Sequence, residues 1–185
     1  MYSFPLPYLS FLVHFHEDHD YFECHEVLEE YWKEKTDGAR DSIWVGLIQV
    51  AVSFYHHRRS NFAGAQKLAV KALTIFQKRK EELRKLGIDE DAFINQLTSR
   101  LQEIKEGKTF TPMAIPFADE EVIHQYRHFQ QTFSSELKTE NPDYLYNKHL
   151  LRDRSDVIAA REQSLKERRG RELLVTTGAP SDYDS

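Results

Sequence analysis

Apolar side chains recur along this chain at three- and four-residue intervals, which predicts helices throughout. Tyr8, Leu9, Phe11, Leu12 and Phe15 give a short first helix over about residues 8–16, with a break near Asp18 to Asp20. A second helix spans about 20–35 and ends at Thr36-Asp37-Gly38, glycine supplying a left-handed exit. A third begins after Asp41 or Ser42, either of which can cap it, and runs to Arg59. Ser60-Asn61 breaks and recaps the chain. The fourth helix is predicted as continuous over about 62–86, with Phe62, Ala65, Ala69, Ala72, Leu73 and Phe76 on one face and Gly87 as the stop. Asp89 caps a fifth helix over 90–106, with the stripe Phe93, Leu97, Leu101 and Ile104.

The pattern changes after Gly107. GKTFTPMAIPFA carries two prolines and β-branched residues and reads as an extended segment lying against the helices. Asp119-Glu120-Glu121 then gives the acidic first turn of a sixth helix, striped by Val122, Tyr126, Phe129, Phe133 and Leu137. Residues 148–172 carry eight basic and five acidic side chains and little apolar content, which predicts a solvated C-terminal helix. The final VTTGAPSDYDS predicts disorder. With short connections, the expected architecture is all-α: a compact antiparallel bundle of about five core helices, a tethered sixth helix and a charged C-terminal helix. The expected divisions are 1–107 for the bundle, 108–143 for the segment and helix packed on it, and 144–185 for the charged helix and tail.

Composition narrows the function classes. The 185 residues are 40% hydrophobic, enough for a core, and the net charge of −5 excludes a uniformly basic coat for nucleic acid. One cysteine, Cys24, excludes an internal disulfide framework and fits a reducing cytosol. The longest apolar run, Ile43 to Tyr55, is 13 residues, and a bilayer span needs about 20. The sequence therefore predicts a soluble, cytoplasmic protein with no membrane partner. Charge is segregated: residues 1–37 hold nine acids and two bases, and the stretch from Arg58 to Lys85 holds nine bases and two acids. That basic stretch and the C-terminal helix are the candidate surfaces for a protein or anionic partner. Nucleic acid is disfavoured, because aromatics do not interleave with the exposed bases.

The candidate chemistry lies where polar groups fall among apolar ones. On the second helix, at about 100° per residue, Tyr21, Cys24, Leu28 and Trp32 form the core face, and His25 and Glu29 fall inside its arc beside Phe22. The third helix is apolar nearly all round, with Gln49, Ser53 and His56 forming one polar line and Gly46 removing bulk beside it. The economical arrangement turns these lines toward each other, in a buried polar network of His25, Glu26, Glu29, Gln49, Ser53 and His56. Three readings are open: a satisfied network that fixes helix register, a catalytic or small-molecule pocket, and a divalent transition-metal site. For the metal, His25, Glu29 and His56 are the candidate ligands, with His57 or Glu26 as a fourth. For catalysis, Glu29, His25 and His56 are the candidates, with Glu29 or Glu26 as general base. His14, His16 and His19 read as a solvated, titrating cluster, and Cys24 as a core thiol. Ser53 with His56 lacks the glycine-framed turn and second acid of a nucleophile site.

YFECHEVLEEYW and GLIQVAVSFYHHRRSNFAGA together resemble the bacterial and archaeal family catalogued as domain of unknown function 309. The resemblance covers about residues 10–85. It rests on Phe22, Glu23, His25, Glu26 and Glu29, then on Leu47, Ile48, Gln49, Tyr55, His56, Arg59, Asn61, Gly64 and Ala65. It implies a small all-helical bundle and no established activity. Its motif positions coincide with the polar lines above. The functional expectation is therefore a binding or scaffolding module stabilised by the polar network, with a metal-binding protein or metal-dependent hydrolase-like enzyme as the alternative.

Overall fold

The computed structural model describes residues 3–36 and 38–133. The expected charged helix at 148–172 and the tail lie outside these residues. Seven α-helices are described: α1 Leu6–Val13, α2 Tyr21–Lys35, α3 Ile43–Arg58, α4 Phe62–Lys78, α5 Lys80–Lys85, α6 Glu90–Lys105 and α7 Glu120–Phe133. The all-α architecture is as expected, and among the described residues no helix is long and apolar enough to cross a membrane.

Local chemistry sets most boundaries. The side chains of Asp20, Ser42, Asn61 and Asp89 each accept a backbone N–H in the first turn of the helix that follows. Gly38, Gly87 and Gly107 all take positive φ at helix exits. Gly87 is doubly constrained: its φ is +75°, and a Cβ there would stand 2.6 Å from Cγ1 of Val122.

Two boundaries differ from expectation. The first helix does not fray into a simple break. It passes at His14–Asp18 into one π-helical turn, closed by His19 at φ 52°. The fourth helix is not continuous to residue 86. Arg79 leaves helical geometry at φ −125°, ψ 35°, and α5 restarts at Lys80. The local sequence QKRKEEL contains no helix breaker. At the break the Arg79 guanidinium bonds Asp41, distant in sequence, at 2.7 Å, and Glu82, three residues on.

α3 packs against both α2 and α4, and α4 packs against α6. Each pair is antiparallel. Phe22 meets Tyr55 and Tyr31 meets Trp44 across α2 and α3. Ser53 bonds Ala65, and Gly46 faces Phe76, across α3 and α4. Tyr8, Phe11, Phe15, Tyr21, Leu28, Leu47, Phe54, Phe76 and Phe93 are fully or almost fully buried in the common core. At about 25 cal/mol per Å² of apolar surface, this aromatic-rich interior dominates stability.

The segment after α6 lies against the bundle, as expected. Phe110 packs edge-on against Tyr21, Phe54 and His57. Its path is fixed by Asp89 N–H to the Pro116 carbonyl at 3.0 Å and by Ala118 N–H to the Gly87 carbonyl at 2.9 Å. α7 then docks on α1. Val122 is fully buried, and Gln125 accepts the amides of Ser3 and Phe4 at 2.9 and 3.2 Å.

Candidate functional site

α2 presents Tyr21, Cys24 and Leu28 to the core, all at 0% exposure. These three centre the buried face between Cys24 and Leu28, so the true core arc is narrower than one that also takes in Phe22. His25 and Glu29 consequently stand on the flank, with side chains 28% and 32% exposed. They are not buried in the core, which corrects the sequence expectation. One turn apart, they meet directly: His25 Nε2 is 3.1 Å from Glu29 Oε2. The other ring nitrogen, Nδ1, is 3.1 Å from Glu26 Oε1. Lys33 Nζ lies 3.0 Å from the second Glu29 oxygen. The Phe22 ring, 6.1 Å from the His25 ring and 6.2 Å from that of Tyr55, backs the cluster.

One ligand-type atom from each of His25, Glu26 and Glu29 lies within 4.8 Å of the others. An imidazole between two carboxylates has two chemical uses. Protonated, it is an ion-paired clamp along one helix. Neutral, it contributes one nitrogen, with two carboxylate oxygens, to a borderline divalent cation such as Zn²⁺, Mn²⁺ or Fe²⁺.

The polar line on α3 does not join this cluster. It faces α4. The Ser53 hydroxyl is buried and donates to the Ala65 carbonyl at 2.8 Å. Its proton is thus committed to a backbone oxygen. Asn61 accepts Gly64 N–H through Oδ1, so its Nδ2–H group donates to His56 Nδ1 at 3.0 Å. His56 therefore closes the α3–α4 connection with a bare nitrogen, and partial burial, aided by Arg59, holds its pKa below the usual imidazole value. Gln49 Oε1 is buried without a hydrogen-bond partner among the described residues. No hydrogen bond or ion pair joins His25 or Glu29 to Gln49, Ser53 or His56 among the described residues. The six residues are thus not one network: His25 pairs with Glu26 and Glu29, Ser53 and His56 bond Ala65 and Asn61 separately, and His56 is not a ligand beside His25. The physical reason is packing: Gly46 lets the Phe76 ring of α4 press onto α3, and this small-residue side becomes the α3–α4 seam.

Other candidates are also relocated. His57, considered as a fourth ligand, is 1% exposed and donates through Nε2 to the Lys108 carbonyl at 2.8 Å. His14, His16 and His19 are not a solvated cluster, because the π turn commits each ring. His14 donates to Asp18 at 2.9 Å and His19 to the Phe15 carbonyl at 3.0 Å, while His16 bridges Leu12 and Ile115. Cys24 is a core thiol as expected, and burial, with Asp20, Asp18 and Glu23 nearby, pushes its pKa well up.

The basic stretch is only partly paired with acids. Arg58 donates to the His19 carbonyl at 2.6 Å and lies 5.1 Å over the Tyr21 ring. Arg79, Lys80, Arg84 and Lys85 each pair with an acid. Lys67, Lys71 and Lys78 are exposed and make no ion pair among the described residues.

The family Domain of unknown function (DUF309) matches residues 8–68, from α1 into the second turn of α4. A protein of Bacillus subtilis (strain 168) described as "Uncharacterized protein YpuF" is 38% identical over 170 residues, covering 90% of this chain and 97% of its own length. The chain belongs to the DUF309 family. The matched span holds the His25–Glu26–Glu29 cluster and the α3–α4 seam, while the segment after α6 and helix α7 lie beyond it. No solved structure matches the chain significantly. The DUF309 resemblance drawn from the two motifs is thus established.

Sequence reasoning missed one group of residues. Arg100 is 6% exposed, lies 5.4 Å over Phe54 and 5.5 Å over Phe110, and pairs with Glu103 at 3.3 Å. At about 100° per residue Arg100 falls on the same face of α6 as Phe93, Leu97 and Ile104, so the stripe held a signal for its burial that its charge obscured.

Proposed function

We propose that this protein is a binding module whose rigid helical bundle presents a divalent transition-metal site at His25, Glu26 and Glu29. The observation that carries this reading is the placement of one nitrogen and two oxygen ligands within 4.8 Å on one flank of α2. Three protein ligands leave coordination positions for water or for a group from a partner. The side chains are about a third exposed, which an exchanging ion needs. The same exposure favours binding over metal-assisted hydrolysis with Glu29 as base, because such chemistry gains from a water-excluding pocket.

The test is calorimetric titration of untagged protein with Zn²⁺ and Mn²⁺, beside the His25→Ala and Glu29→Gln variants. The expected result is one equivalent bound by the wild type, with affinity at least tenfold weaker in each variant. Equal binding by the wild type and both variants would overturn the site. So would absence of binding by the wild type.

A further inference from the structure

The π turn His14–Asp18 holds the two elements that follow α6 through adjacent side chains. His16 Nδ1–H donates to the Leu12 carbonyl at 3.0 Å, and the Ile115 N–H donates to His16 Nε2 at 2.9 Å. Both contacts need a neutral ring with its proton on Nδ1. The ring is walled by Phe117 at 5.7 Å and by Tyr126 at 5.6 Å, both nearly edge-on. Next along the turn, Glu17 accepts the Tyr126 hydroxyl from α7. So His16 pins the extended segment, and Glu17 pins α7.

We propose that the π turn is a proton-operated latch: protonation of His16 Nε2 breaks its bond to Ile115 and loosens the 112–118 segment and α7 from the bundle. A second proton on the ring would point at the Ile115 N–H, so donor would face donor. The imidazolium would also lie beside Glu17 and draw that carboxylate away from Tyr126. The charged and titratable groups around the ring are Glu17 and His19 from its own segment and Tyr126 from α7. The extended segment presents Ile115 and Phe117, and α1 presents the Leu12 carbonyl. Burial outweighs the Glu17 charge and the Leu12 bond, and pushes the His16 pKa down to about 4. Released, the ring regains a pKa near 6.5. The closed latch is therefore fully favoured above about pH 6.5, and its closed-to-open ratio falls by up to about tenfold per pH unit between there and about pH 4. The latch joins the family-matched part of the chain to the part beyond it.

Hydrogen exchange of the full chain from pH 7.5 to 4.5, corrected for intrinsic rates, tests this. The expected result is that peptides covering 112–118 lose protection by up to about tenfold per pH unit below 6.5 while α3 keeps its protection. In His16→Gln the amide oxygen accepts from Ile115 without titrating, so this dependence should vanish. Loss of protection in 112–118 and α3 together would overturn the latch, as would a His16→Gln profile that follows the wild type. Should that variant not fold, NMR titration of His16 in the wild type decides: a pKa well below 6.5 supports the latch, and a pKa of 6.5 or above overturns it.

Discussion

Gly46 of α3 sits so close to Phe76 of α4 that a Cβ at position 46 would stand 2.4 Å from the Phe76 Cε1. Phe76 is fully buried and touches Phe93, so its ring has nowhere to retreat. Gly46→Ala should therefore destabilise the protein by about 1–3 kcal/mol through overpacking, despite a helix-propensity gain of about 1 kcal/mol. A lower urea midpoint with an unchanged slope would bear this out. An unchanged or raised midpoint would show that the seam is looser than described.

The same seam carries the Ser53 hydroxyl bond to Ala65. The Ala65 carbonyl keeps its own helical partner, so Ser53→Ala removes a donor without stranding an acceptor. The expected loss is modest, about 0.5–1.5 kcal/mol. A loss above about 3 kcal/mol would show that Ser53 does more than tie two helices.

Gly87 holds α7 close through Val122. Gly87→Ala meets both a positive φ and a 2.6 Å contact. It should cost about 2 kcal/mol or more and increase exchange in α7 before α3. Equal protection of α7 in variant and wild type would contradict the described docking.

Cys24 is fully buried, and burial holds its thiol protonated. Reactivity needs an accessible thiolate. An aromatic disulfide reagent should label no cysteine in the native protein at pH 8 and one per chain in denaturant. Rapid native labelling would mean that α2 opens far more readily than a core helix should.

The helices and their caps were legible because they depend on neighbours within about four residues. Ser42, Asn61 and Asp89 announce starts, and Gly38, Gly87 and Gly107 announce exits, whatever surrounds them. The pairing of His25 with Glu29 was legible for the same reason, since both lie on one helix. The side of α3 that meets α2, and the side that meets α4, were not. A polar line on an apolar helix can be satisfied by any backbone carbonyl, and Ser53 took that of Ala65 in α4. Arg79 at the α4–α5 break, the π turn and Arg100 likewise touch partners distant in sequence that no local pattern names: Asp41 for the first, Ile115 and Tyr126 for the second, Phe54 and Phe110 for the third. Sequence periodicity fixed which residues share a helix face. Close packing between helices decided what each face touches, because that depends on shapes supplied by the other helices.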